Sequence, residues 1–343
     1  MFSVLRRAAH ASAAPVTLAL LAACGGATTM PVTYATPGSA YALMDPGATT
    51  AALQQFAALP SVDGLAFRVL WSQLEPAAGA YDWTALDTAF AVVRQQGKMM
   101  TIHVGPTSVG LPGWLGPLGM ASYTYTDPHG THTDPVPWDD VYLSNYRTFV
   151  AALGAHIQAT GNMNLVAAVS DPLPETEMSI PGCQDGRLAG SVPYDRGQYL
   201  AAWQSTISAY ANAFPGIRLF VSAPLSFICL NDGNDGRMFY SDVMGYARSV
   251  TSHAAVFAAD LNALGSQRLR QLGALAGQAT IGLQTIWSYS DDPSNRMQGS
   301  LADAVCQGWN AGARYVEIYQ ADLSNADPAV QAAIGSARTG HGC

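Results

Sequence analysis

Short apolar runs alternate with longer segments of helical periodicity along most of the chain. Eight of the runs have the length of a strand: Val32 to Tyr34, Leu65 to Trp71, Met99 to Val104, Leu165 to Val169, Arg218 to Ser222, Ala255 to Asp260, Thr280 to Ile286 and Arg314 to Tyr319. Strands that are apolar almost throughout are typical of a parallel sheet buried on both faces. Eight strand–helix units in about 300 residues predict an α/β fold, a single (β/α)8 TIM barrel; a doubly wound open sheet is the alternative.

The segments between these runs carry helical patterns, and several end at or near Gly or Asn. They are Trp83 to Gln96, Val141 to Ala159, Arg196 to Ala213, Arg237 to Val250, Gln267 to Gly277 and Leu301 to Ala311. No change of composition divides the series, so we predict one barrel domain over residues 38–343. The longest insertion, Gly105 to Asp140, follows the third strand and is rich in aromatic residues. In a barrel it would lie at the carboxyl ends of the strands, where binding loops lie.

The N-terminus has the features of an export signal. Two arginines precede an apolar stretch from Pro15 to Ala23, which is too short to span a bilayer. The tetrapeptide Leu21-Ala22-Ala23-Cys24, followed by Gly25, resembles the lipobox of bacterial lipoproteins. The resemblance implies that residues 1–23 are a lipoprotein signal peptide, that Cys24 is acylated, and that residues 24–37 form a short tether to the membrane of the bacterial cell envelope. A soluble secreted protein, with Cys24 an incidental thiol, is the alternative.

Four cysteines remain after such a cleavage: Cys183, Cys229, Cys306 and Cys343. An even number in an exported chain favours disulfides over metal ligation, and three pairings are possible. In the predicted barrel, Cys183 and Cys229 lie in the neighbouring loops after strands four and five. Cys306, in the last long helix, can meet the C-terminal Cys343. We therefore predict the pairs Cys183–Cys229 and Cys306–Cys343.

Composition and charge exclude several classes of function. The 343 residues are 49% apolar and 12% charged, with a net charge of −8, and no basic run follows residue 7. Nucleic acid is therefore not an expected partner. His129 and His132 share a loop with Asp127 and Asp134, but their spacing is not that of a zinc site, and no G-x-S-x-G elbow is present. No metal and no cofactor are expected.

The alternation of side chains along the strands predicts which of them face the barrel axis. In the last strand, Val316 and Ile318 belong under the helices, so their neighbours turn inward, and the same rule applies to strands two, three and seven. The inward set is Ala66, Arg68, Thr101, His103, Gln284, Tyr315, Glu317 and Tyr319. A buried carboxylate needs a cation or hydrogen-bond donors. We expect Glu317 to find these among Arg68, His103 and Gln284.

The loop after the fourth strand is the most acidic point of the chain. It carries Asp171, Glu175 and Glu177 within seven residues. Glycoside hydrolysis uses two carboxyl groups that flank one bond, one protonated and one ionised. The loop could supply one of these groups and Glu317 the other. A solvated surface or a calcium site is the alternative for an acidic loop.

A sequence pattern around the second strand supports this interpretation. The pattern consists of Phe67-Arg68-Val69-Leu70-Trp71-Ser72-Gln73-Leu74-Glu75-Pro76, then Gly79-Ala80-Tyr81-Asp82-Trp83 and Leu86-Asp87, with His103 ending the third strand. It resembles the clan A glycoside hydrolases, including family 42-type β-galactosidases and family 5-type glucanases. The similarity covers residues 63–104. It implies a retaining mechanism, with an acid/base carboxylate after strand four and a nucleophile at the end of strand seven that Arg68 supports.

This chain departs from that pattern at both carboxylates. Ser170-Asp171 stands where the family has Asn-Glu, and Gln284 stands on strand seven where a glutamate is expected. We therefore take Glu177 and Glu317 as the working catalytic pair, with Asp171 as the other candidate acid/base.

Aromatic residues at or just beyond the strand ends suggest sugar subsites, since sugar rings pack on aromatic faces. They are Trp71, Trp114, Trp138, Phe227, Trp287, Tyr289 and Tyr319, whereas Trp83, Trp203 and Trp309 are expected in the core. The predicted substrate-binding set is Arg68, Trp71, His103, Gln284, Trp287 and Tyr319. Two functions remain: a membrane-anchored glycoside hydrolase acting on an oligo- or polysaccharide, and a catalytically inactive barrel lipoprotein that binds a saccharide or another envelope component.

Overall fold

Eight parallel strands close into a barrel in the computed structural model, which describes residues 38–106, 110–127, 130–171, 183–184, 186–222, 229, 233–273, 279–324 and 328–338. The strands are β1 Ser39–Met44, β2 Gly64–Leu70, β3 Met99–Gly105, β6 Val166–Asp171, β10 Arg218–Val221, β11 Ala254–Leu261, β12 Ile281–Thr285 and β13 Tyr315–Tyr319. They neighbour one another in chain order, and β13 pairs with β1 to close the ring. The predicted (β/α)8 barrel is confirmed.

Helices follow most of the barrel strands. Their bounds are α1 Thr50–Ala57, α2 Trp71–Leu74, α3 Thr84–Gln95, α4 Asp140–Ala159, α5 Arg196–Ala213, α6 Gly233–Val250, α7 Gln267–Leu272, α8 Leu301–Asn310, α9 Gln320–Ser324 and α10 Pro328–Arg338. Side chains cap several N-termini: Thr49, Asp139, Asp195, Ser266 and Ser300 each accept a hydrogen bond from a backbone N–H of the first turn. Such caps satisfy donors that the helix itself leaves without partners.

The core has an inner and an outer part, divided by the strand alternation. Val316, Ile318 and Leu283 pack outward under the helices, as predicted. The inner cluster consists of Tyr41, Leu43, Ala66, Ala168, Phe220, Ala255, Phe257 and Tyr315. Gly282 makes room for it, because a Cβ there would lie 2.6 Å from the ring of Phe220. Aromatic rings thus fill the middle of the barrel, and the polar inward residues lie nearer the carboxyl ends of the strands.

The first strand was placed wrongly by the sequence pattern. The barrel begins with β1 at Ser39–Met44, whereas the predicted run Val32 to Tyr34 lies outside the described residues. β1 belongs to the barrel because it pairs with both β13 and β2. The pattern also gave no indication of α1 or α10.

Two loops at the carboxyl end of the barrel have secondary structure of their own. The insertion after β3 contains an antiparallel hairpin, β4 Ser122–Asp127 and β5 Gly130–Pro135. After β6 a small sheet forms from β7 Cys183–Gln184, β8 Arg187–Leu188 and β9 Val192–Pro193.

The predicted pair Cys183–Cys229 is confirmed as a disulfide, with the two Cα atoms 5.1 Å apart. It joins the loop after β6 to the loop after β10. Cys306 is also disulfide-bonded, and its predicted partner Cys343 lies outside the described residues.

The predicted signal peptide, the tether and Cys24 all lie outside the described residues. Within the described part of the chain, no helix combines the length and the apolar character needed to cross a membrane.

Candidate active site

Glu317 and His103 meet across the inside of the barrel. Nε2 of His103 on β3 lies 2.7 Å from Oε1 of Glu317 on β13. The two strands are not neighbours, since β2 and β1 lie between them. Both side chains therefore point to the axis, as the alternation predicted.

Two hydroxyl groups extend this contact. Oη of Tyr315 lies 2.5 Å from Oε1 of Glu317 and 2.8 Å from Oγ1 of Thr101. A phenol carries one proton, so Tyr315 donates it to one of these two oxygens at a time. Burial, reinforced by the charge of Glu317, raises the pKa of Tyr315 well above its usual value. Tyr315 therefore stays a hydrogen-bond donor over the whole physiological range.

Glu317 is closed off from solvent. Its side chain is 0% exposed, against 14% for His103. Its second oxygen, Oε2, is buried and makes no hydrogen bond with the described residues. A nucleophile must touch the carbon that it attacks. The burial of Glu317 thus argues against attack by its own oxygen in this conformation.

Arg68 does not bind Glu317, which corrects the sequence-based expectation. Its Nη2 lies 2.5 Å from Oδ1 of Asp45, and its Nε donates to the carbonyl of Met44 at 2.9 Å. Asp45 directly follows β1, so the misplaced first strand concealed it. A correct placement would have revealed a carboxylate at a strand end beside Arg68.

Arg68, Tyr319 and Trp287, three members of the predicted substrate-binding set, lie side by side at the strand ends, and their role in binding stays a prediction. The guanidinium carbon of Arg68 lies 5.5 Å from the ring centre of Tyr319, whose ring centre is 6.4 Å from that of Trp287. Arg296, which the sequence did not single out, covers Trp287 at 4.7 Å. Burial raises the pKa of Tyr319, and the charges of Arg68 and Arg296 oppose this rise.

A buried carboxylate holds the loop that carries Trp287. Asp322, 5% exposed, accepts hydrogen bonds from the hydroxyls of Ser288 and Ser290 and from the backbone N–H groups of Tyr289 and Ser290. These bonds fix the segment after β12 against α9. No local sequence pattern indicates this role, because Asp322 lies 34 residues from Ser288 along the chain.

Trp71 is removed from the predicted substrate-binding set. It is fully buried, packs against Trp114, Tyr146 and Phe149, and donates from Nε1 to Oε2 of Glu75 at 2.7 Å. It opens α2 rather than ending β2, so its ring turns into the layer between strands and helices. Trp71 is therefore a core residue.

The remaining predicted site residues belong to β12 and to the loop after β6. Gln284 is the register partner of Glu317 on the neighbouring strand. Asp171 ends β6, where its backbone pairs with that of Val221. Glu175 and Glu177 lie outside the described residues, so their place relative to Glu317 stays a prediction.

Among the residues that the structure describes, no group of three or more His, Cys, Asp or Glu side chains could hold a metal ion.

Comparison with known proteins shows the fold and does not assign a family. No family model and no curated protein matches the chain. Among solved structures, an exo-β-1,4-mannosidase from Opitutaceae bacterium strain TAV5 is 12% identical with a TM-score of 0.55, covering 88% of this chain and 59% of the mannosidase. A β-galactosidase from the psychrophilic Marinomonas ef1 is 13% identical with a TM-score of 0.54, covering 87% and 59%.

A psychrophilic glycoside hydrolase family 10 endo-β-1,4-xylanase is 12% identical with a TM-score of 0.50, covering 82% of this chain and 86% of the xylanase. The chain thus spans about three fifths of the length of the mannosidase and the galactosidase and most of the xylanase. All three neighbours are glycoside hydrolases, and the likeness in fold is to their (β/α)8 barrels.

Proposed function

We propose that this protein is a glycoside hydrolase that binds an oligo- or polysaccharide at the carboxyl end of its barrel. The observation that carries the proposal is the arrangement around Glu317. A buried carboxylate and an imidazole meet on the barrel axis, and a group of Arg68, Tyr319 and Trp287 lies above them at the strand ends. Aromatic faces and charged donors at a strand-end opening suit a sugar ring.

The carboxylates of the loop after β6 supply the general acid in this proposal. Glu177 protonates the leaving oxygen, with Asp171 as the other candidate, and Glu317 is the second carboxylate that glycoside cleavage requires. The glycoside hydrolases among the fold neighbours support the class of reaction and not the sugar or the linkage.

A screen of aryl glycosides and oligosaccharides tests the proposal. Glu177→Gln and Glu317→Gln should each lower kcat/KM by at least about 100-fold, the effect expected for loss of acid or base assistance. Glu175→Gln, in the same loop, is the matched control and should keep most of the activity. Activity that survives both changes would move the chemistry away from this pair.

The second candidate is an inactive saccharide-binding barrel. Two observations favour it: an amide, Gln284, stands on the strand that carries the nucleophile in the family that the sequence resembles, and Glu317 is fully buried. Saccharide binding by calorimetry, without turnover on any substrate, would establish this alternative.

We also propose that lipidation of Cys24 anchors the barrel to the membrane of the bacterial cell envelope. Several acyl chains hold a protein on a bilayer firmly, whereas one chain binds only marginally. In a detergent phase separation, the full chain should enter the detergent phase and Cys24→Ser the aqueous phase. A wild-type protein in the aqueous phase, with no mass added to its N-terminus, would contradict the anchor.

A further inference from the structure

We infer that Asp45 is a substrate-binding residue of the proposed site, and that together with Arg68 it binds two adjacent hydroxyl groups of a neutral sugar in preference to a uronic acid. This inference rests on the proposed saccharide binding at the carboxyl end of the barrel and names the class of sugar bound there. It follows from the position, the exposure and the hydrogen bonds of the Asp45 carboxylate.

Asp45 lies between two strands that carry predicted substrate-binding residues. It directly follows β1, which pairs with β2 on one side and with β13 on the other. Arg68 belongs to β2, and Tyr319 ends β13. The strands of a parallel barrel end at the same rim, and barrel enzymes bind their substrates there. The carboxylate of Asp45 therefore stands where a substrate would lie.

Two donors hold this carboxylate in place. Nη2 of Arg68 lies 2.5 Å from Oδ1 of Asp45, and Nε2 of Gln320, the first residue of α9, donates to Oδ2 at 2.8 Å. A carboxylate offers about four lone-pair sites, so each oxygen can accept a further hydrogen bond. The side chain of Asp45 is 55% exposed, which leaves these sites open to a ligand. Asp45 is thus fixed in position and still able to bind.

Arg68 supplies the donors that a carboxylate lacks. A guanidinium carries five N–H groups and no acceptor, whereas a carboxylate only accepts. Arg68 donates to the carbonyl of Met44 and to Asp45, and 28% of its side chain is exposed. A sugar hydroxyl both donates and accepts. Two adjacent hydroxyl groups can therefore donate to Asp45 while they accept hydrogen bonds from Arg68.

Tyr319 and Trp287 provide an apolar surface next to this pair. The guanidinium carbon of Arg68 lies 5.5 Å from the ring centre of Tyr319, whose ring centre is 6.4 Å from that of Trp287. Both aromatic residues are only partly buried. The C–H groups of a sugar pack on aromatic rings, while its hydroxyl groups require polar partners. A sugar unit held by Asp45 has both kinds of partner at hand.

The charge of Asp45 determines the preference for a neutral sugar. The carboxylate of a uronic acid bound at this position would lie beside the exposed carboxylate of Asp45, and like charges in close contact repel. Arg68 already forms an ion pair with Asp45. Arg296, the other guanidinium of this rim, stacks on Trp287 at 4.7 Å and forms no ion pair with Asp45. Neutral hexoses and pentoses are therefore the class that the site accepts.

Binding of matched glycosides by calorimetry tests the inference without requiring turnover. The neutral probes are the p-nitrophenyl glycosides of glucose, galactose, mannose and xylose, and the charged probes are the glucuronide and the galacturonide. The full chain should bind a neutral glycoside at least about 10-fold more tightly than the uronide. Asp45→Ala should weaken binding of the neutral glycoside by about 10- to 100-fold, the range for a hydrogen bond to a charged group. Asp45→Asn, which keeps one acceptor and frees Arg68, should abolish the discrimination against the uronide.

Asp242 offers a matched control for these variants. Its Oδ2 lies 2.9 Å from Nη2 of Arg196, and its side chain is 49% exposed, but this ion pair joins α5 to α6 rather than two strand ends. Asp242→Ala and Asp242→Asn should leave both affinities unchanged. Wild-type affinity and wild-type discrimination in both Asp45 variants would overturn the inference and leave glycoside hydrolysis standing.

Deoxy sugars test the contact with adjacent hydroxyl groups. The probes are the monodeoxy derivatives of the neutral glycoside that binds most tightly. In the wild-type protein, two derivatives that lack neighbouring hydroxyl groups should bind more weakly than the parent glycoside. In Asp45→Ala the same two derivatives should bind as well as the parent, because the acceptor of those hydroxyl groups is gone. An equal loss of affinity in both proteins would contradict the contact.

Kinetics distinguish a failure of the inference from a failure of the proposed function. On a glycoside that the wild-type protein cleaves, Asp45→Ala should raise KM and change kcat by less than about 3-fold, since a contact made equally in the ground state and the transition state affects KM alone. Turnover with an unchanged KM would contradict the inference and support hydrolysis. Binding that depends on Asp45, without turnover, would support the inference and contradict hydrolysis. If no saccharide binds, both are wrong.

Discussion

The contact between His103 and Glu317 should contribute far more to the free energy of unfolding than the same contact at the surface. The described residues include two histidine–carboxylate pairs in which Nε2 lies 2.7 Å from a carboxylate oxygen. The carboxylate of the first pair, His103 with Glu317, is 0% exposed. The carboxylate of the second pair, His156 with Asp87, is 45% exposed. Removing one partner of a buried pair destabilises proteins by about 3–5 kcal/mol, whereas exposed pairs contribute roughly 0.2–1 kcal/mol.

A double-mutant cycle isolates the pairwise free energy from lost packing. We expect a coupling free energy of about 1–3 kcal/mol from His103→Ala, Glu317→Gln and the double variant. The corresponding cycle on His156 and Asp87 should give less than about 1 kcal/mol. Urea unfolding at pH 7, with equal m-values in all variants, provides the measurement. Equal couplings in the two cycles would refute the view that burial of Glu317 strengthens its contact with His103.

Three further predictions concern the barrel and its cysteines. Gly282→Ala should lower the free energy of unfolding by roughly 1–3 kcal/mol, because the new Cβ would lie 2.6 Å from Phe220; Gly245→Ala, with open space around it in α6, is the control and should not destabilise. The pKa of Tyr315 is raised from 10.0, so its contribution to stability is complete below pH 10 and is lost as the pH rises through the folded value. Urea unfolding between pH 8 and 11 should show this decline, and Tyr315→Phe should flatten it. Non-reducing peptide mapping should join Cys306 to Cys343, and any other partner for Cys306 would contradict the predicted pairing.

Most of the barrel could be predicted from the sequence because its strands are buried on both faces. Seven strands differ from their predicted bounds by one or two residues, and each is a run of mainly apolar residues. The first strand escaped detection, since Ser39-Ala-Tyr-Ala-Leu-Met44 is rich in small residues and has no polar flank before Asp45. Its position is determined by pairing with β13 and β2, which a local pattern does not contain.

The sequence predicted which side chains of the candidate site face the barrel axis, but not which of them bind one another. The two-residue period of a strand was enough to turn His103 and Glu317 to the axis, where the structure brings them together. Which side chains bind one another depends on distances across the barrel, and the spacing of residues along the sequence does not determine these distances. Arg68 was expected at Glu317 and is bound instead by Asp45, which lies 23 residues away in the chain.

The proposed function places the carboxylate on strand eight, whereas the family that the sequence resembles carries it on strand seven. Gln284 and Glu317 are register partners, so the two positions lie one strand apart, about 4.8 Å. Moreover, β13 stands four strands from β6 around the ring, directly opposite it, whereas β12 stands three away. Retaining enzymes hold their carboxyl groups about 5–5.5 Å apart and inverting enzymes about 6.5–9.5 Å, so a move of this size favours inversion.

Moving the carboxylate back tests this geometry. In the double variant Gln284→Glu with Glu317→Gln, the acid returns to strand seven at a position that is partly exposed in the wild type. We expect any turnover of this variant to proceed with retention and to leave a glycosyl group on residue 284 that mass spectrometry detects after trapping with a 2-fluoro glycoside. The single variant Glu317→Gln, which lacks both carboxylates, is the control and should form no adduct. Inversion that persists in the double variant would show that the strand carrying the carboxylate does not determine the stereochemistry. Water would then attack the sugar even though the carboxylate of residue 284 is present.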